Sequence, residues 1–122
     1  MNEAYWKETK YKVHRGMLIP TDDRRYLNGS SYLTAAITAD YYSEYIPKYV
    51  KGVTADLGCG FAPMYQYYKE YTEKVICIDW ANSLHKNKIL DMRCDLSKPL
   101  DLEDGSIDTV ILSDVLEHIF NT

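Results

Sequence analysis

The sequence predicts an α/β fold in which a parallel β-sheet is flanked by helices. Four short apolar stretches have the length of buried strands, and polar or glycine-containing segments separate them. A glycine-containing loop and then a helical pattern follow the first stretch, and an aspartate ends the second. The four predicted strands span residues 53–57, 75–78, 89–94 and 107–112.

Composition limits the class of protein. The chain has 122 residues, of which 46% are hydrophobic, and this suits one small folded domain. Its formal net charge is −4, which argues against non-specific nucleic-acid binding because such binding needs a basic surface. No apolar run approaches the roughly 18 residues of a membrane span, and the first residues show no secretory pattern. We therefore expect a cytoplasmic protein with neither a membrane nor a nucleic acid as its partner.

The three cysteines are Cys59, Cys77 and Cys94, and they show no metal-ligand spacing. Each lies beside a predicted strand or loop of the core. We interpret them as small buried apolar side chains in a reducing compartment. Cys59 is the one expected to contact a ligand, and no metal site is predicted.

Residues 1–50 are predicted to form a helical segment ahead of the sheet. Residues 4–13 fit a polar helix, and a second helix is expected to begin at Ser30 or Ser31 and to end near Tyr45. Its apolar positions keep helical spacing: Leu33, Ala36, Ile37, Tyr41 and Tyr45. Pro47 is expected to end this helix because proline pushes the preceding residue out of the helical region.

The loop Gly58-Cys59-Gly60 is predicted to cradle a ligand. Glycines allow a sharp turn and a close approach of the ligand to the backbone, and a helical pattern from about residue 63 to 71 presents unpaired N–H groups. Asp56, two positions before the first glycine, would repel a pyrophosphate and attract a cation, or would cap the loop by accepting N–H bonds. A dinucleotide fingerprint needs a third glycine where Pro63 stands, which weakens a nicotinamide oxidoreductase as an interpretation.

Asp79 is predicted to bind a ribose. It ends the second strand, 23 residues after Asp56, and an acid at this distance binds ribose hydroxyls in nucleotide-binding α/β folds. Trp80 follows directly and is expected to lie against an adenine. The alternative for Asp79 is a solvated residue at the end of the strand, without a role in binding. Residues 81–88 are predicted to form a short crossover helix.

Two motifs resemble class I S-adenosylmethionine-dependent methyltransferases. Asp56-x-Gly58-x-Gly60-x-Ala62 resembles the first motif of that family, with Ala62 in place of a third glycine. Residues 95–119 resemble the later motifs of its small-molecule, type 11-like group and end in Val-Leu-Glu-His. The resemblance covers about residues 53–119 and implies S-adenosylmethionine as cofactor and S-adenosylhomocysteine as product.

The resemblance also implies a Rossmann-like sheet. The family has seven strands in the order 3-2-1-4-5-7-6, so this chain is expected to supply the order 3-2-1-4 and to be truncated after the fourth strand. Residues 51–122 then form the cofactor-binding half-domain, and residues 1–50 form a lid. Asp95 and the Leu96 N–H are expected at the adenine, and Ser113 completes the predicted cofactor residues. Asp95 as a cap of its own loop is the alternative.

The residues that carry out catalysis are not identified by the sequence. Methyl transfer mainly requires that donor and acceptor are aligned, and a base is needed only when the acceptor loses a proton. Asp114, Glu117 and His118 are the candidates, in a helix predicted over residues 113–120. Asp114 also fits a helix N-cap, and His118 a structural role. The candidates for a lid, or for contact with the methionine carboxylate of the cofactor, are Trp6, Arg24, Arg25, Tyr26 and Tyr32.

The predicted function is methyl transfer from S-adenosylmethionine to a small-molecule acceptor. A non-catalytic S-adenosylmethionine-binding or assembly module is the alternative, because the second half of the family sheet is not in the sequence. The fourth strand would then be an exposed edge, and exposed edges pair with other chains. We therefore predict a homodimer through that edge.

Overall fold

The computed structural model describes residues 1–80 and 88–119 and confirms an α/β fold with a parallel sheet. The strands are β1 (Tyr11–His14), β2 (Met17–Pro20), β3 (Val53–Leu57), β4 (Lys74–Asp79), β5 (Met92–Arg93) and β6 (Thr109–Leu112). The α-helices are α1 (Tyr32–Tyr49) and α2 (Tyr65–Tyr68), and 3-10 turns cover Glu3–Tyr5, Gly29–Ser31, Lys69–Tyr71 and Leu116–His118.

The main sheet has four parallel strands in the order β5-β4-β3-β6. The central strand β3 is buried from Thr54 to Leu57, as expected for a parallel strand that is covered on both faces. The carboxyl ends of β3, β4 and β6 meet at one edge of the sheet, and this edge carries the glycine loop. A seven-stranded sheet stays a prediction.

Two strands are shorter than predicted because aspartate side chains take the place of backbone partners. The Asp91 carboxylate accepts the Cys77 N–H at 2.8 Å, and β5 pairs with β4 only beyond that point. At the other side of the sheet, the Asp108 carboxylate accepts the Val53 N–H at 2.7 Å, and β6 begins one residue later. A side chain that bonds the backbone competes with the strand ladder.

The predicted helix over residues 4–13 is wrong, because β1 and β2 form an antiparallel hairpin there. Its two-residue turn has positive φ at Arg15 (50°) and Gly16 (76°), the backbone that closes a tight hairpin with the correct twist. Leu18 is buried and its N–H donates to Ser43 Oγ of α1 at 2.8 Å. The hairpin is therefore held by packing on α1, and the role of residues 1–50 as a lid stays a prediction.

The predicted end of α1 at Pro47 is also wrong, since the helix continues to Tyr49. Pro47 has no N–H for the Ser43 carbonyl one turn earlier. The Tyr67 hydroxyl donates to that carbonyl at 2.9 Å, so the orphaned acceptor is satisfied from a neighbouring element. At the other end, Ser31 is the N-cap residue of α1 but makes no side-chain cap bond, whereas the Asn28 side chain caps the preceding 3-10 turn by accepting the Ser31 N–H at 2.9 Å.

We expect Tyr67→Phe to lower the free energy of unfolding by about 1–2 kcal/mol, because the Ser43 carbonyl would lose its partner in a half-buried position. Urea denaturation monitored by circular dichroism measures this change. Tyr45→Phe is the control, since it removes the hydroxyl of an exposed tyrosine on α1, the helix that contains Ser43. Equal stability of the two variants would contradict the role given to Tyr67.

Helical structure beside the site is shorter than predicted. The cradle helix is a single α-turn, α2, followed by a 3-10 turn to Tyr71. The helix predicted over residues 113–120 is wrong within the described residues, where Leu116–His118 forms a 3-10 turn. The crossover helix predicted over residues 81–88 falls almost wholly on residues 81–87, which lie outside the described part of the chain.

The core lies on both faces of the sheet. One cluster joins α1, α2 and the hairpin and includes Tyr68 and Met64, both almost completely buried. A smaller cluster around Ala55 and Ile78 covers the other face. Within residues 1–80 and 88–119, β6 pairs with β3 alone, and association of two chains through β6 stays a prediction. No helix in the same residues is long and apolar enough to cross a membrane.

Candidate functional site

Backbone hydrogen bonds attach the glycine loop to β4. Gly58 and Gly60 have φ values of +67° and +53°, a conformation that glycine adopts without strain. The N–H groups of Gly58 and Cys59 donate to the Ile78 carbonyl at 2.8 and 3.3 Å. These two N–H groups therefore fix the loop to β4, and the unpaired N–H groups predicted at the start of the following helix are a separate set.

Ala62 occupies the third glycine position of the motif and has a φ of +47°. It is completely buried, and its carbonyl accepts the Trp6 indole N–H at 2.9 Å. A left-handed alanine costs roughly 1–2 kcal/mol, which this tertiary contact and burial must offset. The loop therefore keeps the glycine-type backbone although the residue type differs.

Asp56 lies at the end of β3 beneath the loop. It is 3% exposed, and its Oδ2 accepts the Tyr68 hydroxyl at 2.7 Å. Burial raises the pKa of the Asp56 carboxyl to about 7, the Tyr68 hydrogen bond opposes this rise, and the charge of Asp79 adds to it. Among the described residues the Asp56 side chain bonds to Tyr68 and not to backbone N–H groups, so the structure does not support the interpretation of Asp56 as a cap of the loop.

Asp79 lies at the end of the neighbouring strand and holds the loop from the other side. Its Oδ2 accepts the Gly60 N–H at 3.1 Å, and its Oδ1 accepts the Trp80 N–H at 2.7 Å. A carboxylate has about four acceptor positions, and these two bonds use two of them. Asp56 and Asp79 thus flank the glycine loop from two adjacent strands.

Two clefts open at this edge of the sheet. The loop cleft, of about 410 Å³, lies over the glycine loop, and the strand-end cleft, of about 460 Å³, lies over the ends of β4 and β5. Gly58 and Asp114 line both clefts. The predicted cofactor residues divide between them: Asp56, Gly58, Cys59, Gly60 and Ser113 line the first, and Gly58, Asp79, Trp80, Asp95 and Leu96 line the second.

Asp114 follows β6 with a φ of +56°, which is unusual for a residue other than glycine. Lys10 of the hairpin segment lies 3.8 Å from its carboxylate. It does not cap the following turn, whose N-cap residue is Val115. His118 lines the strand-end cleft but not the loop cleft, and Glu117 is exposed and lines neither cleft.

Comparison with known proteins agrees with this geometry. The family model described as a methyltransferase domain matches residues 55–122, which is more than half of the chain. This chain belongs to the type 11 group of class I S-adenosylmethionine-dependent methyltransferases. The searches of curated proteins and of solved structures return no match.

In this methyltransferase domain Asp95 already bonds its own loop. Its Oδ1 accepts the backbone N–H and the hydroxyl of Ser97 at 3.0 and 2.6 Å. The Ser97 side chain and then its backbone N–H hold the pKa of the Asp95 carboxyl below its usual range. The loop-capping role is therefore observed, and adenine binding by Asp95 and Leu96 stays a prediction.

The methyltransferase domain keeps its cysteines as thiols. Cys59 and Cys77 are buried, and Cys94 is half-buried. A hydrogen bond with Cys77, together with burial, raises the pKa of the Cys59 thiol, so that group stays protonated and weakly reactive. No cluster of potential metal ligands occurs among residues 1–80 and 88–119.

Two side chains of the site were not predicted from the sequence. Tyr68 holds Asp56, and the Tyr42 hydroxyl bonds Ser113 Oγ at the end of β6. The second pair is separated by 71 positions, so no local pattern connects them. Of the predicted lid residues, Arg25 and Tyr26 line the loop cleft.

Proposed function

We propose that the chain binds S-adenosylmethionine across the strand ends and supports transfer of its methyl group to a small-molecule acceptor. The observation that carries this proposal is the pair of clefts that meet at Gly58, each with one carboxylate at the end of a central strand. The cofactor has an ammonium group at one end and ribose hydroxyls towards the other. Asp56 suits the first group, and Asp79 suits the second.

The residues around these carboxylates fit the cofactor. Among residues 1–80 and 88–119, apart from its chain neighbours, no residue has an atom within 4 Å of a Cβ placed on Gly60, so this part of the chain leaves room for a ligand beside the loop backbone. The Trp80 side chain is 54% exposed beside Asp79 and offers a face for a planar base. Leu96 lines the same cleft and supplies apolar contact.

When bound, S-adenosylmethionine would supply an electrophilic methyl group, whose carbon forms a bond to an acceptor lone pair as its bond to sulfur breaks and S-adenosylhomocysteine leaves. The chain holds the two reactants in line, and this alignment is the main contribution of a protein to such a step. We propose Asp114 as the proton acceptor for substrates that lose a proton, because it is exposed and lines both clefts. His118 lines one cleft only.

We expect calorimetric titration of the chain with S-adenosylmethionine and S-adenosylhomocysteine to show binding that Asp79→Ala weakens. The expected loss is about 1–3 kcal/mol, or roughly 5- to 150-fold in Kd, because charge-assisted hydrogen bonds to the ribose disappear. Asp104→Ala is the control, since Asp104 is exposed in a loop outside both clefts.

Three results would contradict the proposal. They are a folded chain that binds neither molecule, an Asp79→Ala chain that binds as well as the original, and tight binding of a nicotinamide dinucleotide instead. Binding of the cofactor without methyl transfer to any acceptor would favour the non-catalytic binding module.

A further inference from the structure

A third cleft continues from the loop cleft along the first residues of the chain. This outer groove has a volume of about 310 Å³ and shares Thr9, Tyr26 and Phe61 with the loop cleft. A molecule in the outer groove therefore reaches the glycine loop without leaving the protein surface. None of the cofactor residues proposed above lines the outer groove, so the groove is available to a second molecule.

Aromatic rings dominate the walls of the outer groove. Tyr5, Trp6, Tyr26 and Phe61 line it, and Tyr5 and Tyr26 are 52% and 43% exposed. Exposed rings gathered in one groove offer stacking faces and edges to another planar group. The Trp6 ring is fixed in place by its bond to the Ala62 carbonyl, so at least this wall is already formed.

The charge of the outer groove is opposite to that of the whole chain. Lys7 and Lys88 line it, and none of the aspartates and glutamates in the described part of the chain does, although the chain has a formal net charge of −4. Lys88 Nζ lies 5.0 Å from the centre of the Tyr5 ring. Neither lysine forms a salt bridge with a carboxylate of residues 1–80 and 88–119. Unpaired lysines beside aromatic rings suit an anionic group such as phosphate or carboxylate.

We infer that the methyl acceptor is a small planar ring compound with an anionic group, whose ring lies in the outer groove. The anion would contact Lys7 and Lys88, and the group to be methylated would point through Tyr26 and Phe61 into the loop cleft. This inference rests on the proposed function for the direction of the acceptor, but binding in the groove is measurable without the cofactor.

Phenyl phosphate is the probe, and inorganic phosphate and benzyl alcohol supply its charge and its ring separately. We expect calorimetry on the full chain to give a Kd for phenyl phosphate at least about tenfold below those of the two partial probes, because ring and charge contacts add. Lys7→Gln with Lys88→Gln should raise that Kd at least about tenfold. Lys12→Gln is the control, since Lys12 lies in β1, pairs with Asp22 and is outside the groove.

A second variant separates the ring from the charge. Tyr26→Leu should reduce the advantage of phenyl phosphate over inorganic phosphate and leave the Kd of inorganic phosphate unchanged. Equal binding of all three probes, or no effect of the lysine substitutions, would overturn the inference. Tighter, lysine-dependent binding of a short oligothymidylate would also overturn it, in favour of a single-stranded nucleic acid.

The same variants distinguish failure of this inference from failure of the proposed function. S-adenosylhomocysteine binding that survives Lys7→Gln with Lys88→Gln, while phenyl phosphate binding is lost, supports separate sites for the two molecules. Phenyl phosphate binding by a chain that does not bind S-adenosylhomocysteine would leave the groove in place and contradict the cofactor assignment alone. Loss of both ligands in the lysine variant would overturn the separation.

Discussion

Asp56→Asn is expected to stabilise the ligand-free chain at pH 8 by about 2 kcal/mol. The buried carboxyl has a pKa of about 7 in the folded chain, against about 3.9 in an unfolded one. At pH 8 it is ionised in both states, so folding carries roughly 4 kcal/mol of unfavourable burial of charge. The asparagine amide removes this charge and keeps the Tyr68 hydrogen bond, but burial of its N–H groups without partners lowers the free energy of unfolding by about 2 kcal/mol. The net gain in stability is therefore about 2 kcal/mol.

The sign of the pH dependence is fixed by the raised pKa. Protonated Asp56 favours the folded chain, so its contribution to stability is full below about pH 4 and is lost as pH rises to about 7. The difference in unfolding free energy between Asp56→Asn and the original should therefore grow between pH 4 and 7 and stay constant above. Urea denaturation at four pH values measures it. A difference that does not change with pH would contradict the buried, protonated Asp56.

The same substitution should impair cofactor binding while it stabilises the fold. An ammonium group beside Asp56 favours the ionised carboxylate, so the affinity of the original chain for S-adenosylmethionine should fall as pH drops below about 7. Asp56→Asn should bind about 10- to 100-fold more weakly at pH 8 and lose this pH dependence. Calorimetry in buffers of different ionisation enthalpy would detect the proton released on binding by the original chain.

Gly58→Ala is expected to lower the free energy of unfolding by about 3 kcal/mol and to abolish cofactor binding. A Cβ on Gly58 would lie 2.6 Å from Val115 Cγ2, and the φ of +67° strains any other residue. The backbone costs roughly 1–2 kcal/mol, and forced repacking of the buried valine costs about as much again. Because Gly58 lines both clefts, displaced atoms would disturb both parts of the cofactor site.

Gly60→Ala is the matched comparison for this prediction. Gly60 has a φ of +53°, but in the described part of the chain, apart from its neighbours in sequence, no atom lies within 4 Å of the site of its Cβ, so we expect only the backbone cost of roughly 1–2 kcal/mol. Val115→Ala should partly rescue Gly58→Ala, and the double variant should be more stable than the sum of the single effects predicts. Equal destabilisation by the two alanine substitutions would contradict the contact with Val115.

The parts of the structure that the sequence predicted well depend on local rules. Three features follow one another along the chain: a buried parallel strand, two glycines that adopt positive φ, and an acid at the end of the next strand. Because each depends on neighbouring residues, β3, the loop and the position of Asp79 could be predicted. The family resemblance rests on the same stretch. The predicted strand boundaries were wrong where a side chain bonds to a backbone N–H in place of a backbone carbonyl, as the Asp91 carboxylate does beside β5.

The parts that failed depend on contacts distant in sequence. The polar residues 4–13 fit a helix as well as a strand, and the hairpin is selected by packing of Leu18 against α1. Pro47 is tolerated only because Tyr67 reaches the Ser43 carbonyl from another element. Tyr68 at Asp56 likewise depends on the orientation of a four-residue helix, which no local rule determines.

The walls of the combined site come from two separate stretches of the chain. Residues 56–80 and 95–119 supply the residues proposed to bind the cofactor, and residues 5–10 with Arg25 and Tyr26 line the loop cleft and the outer groove. Under the proposed function, we therefore expect substitutions in the first 30 residues to alter which molecule is methylated while the residues proposed to bind the cofactor stay unchanged. An engineer who wishes to retarget this domain should randomise Lys7, Lys10, Arg25 and Tyr26 and spare Trp6, whose anchor to Ala62 steadies the loop.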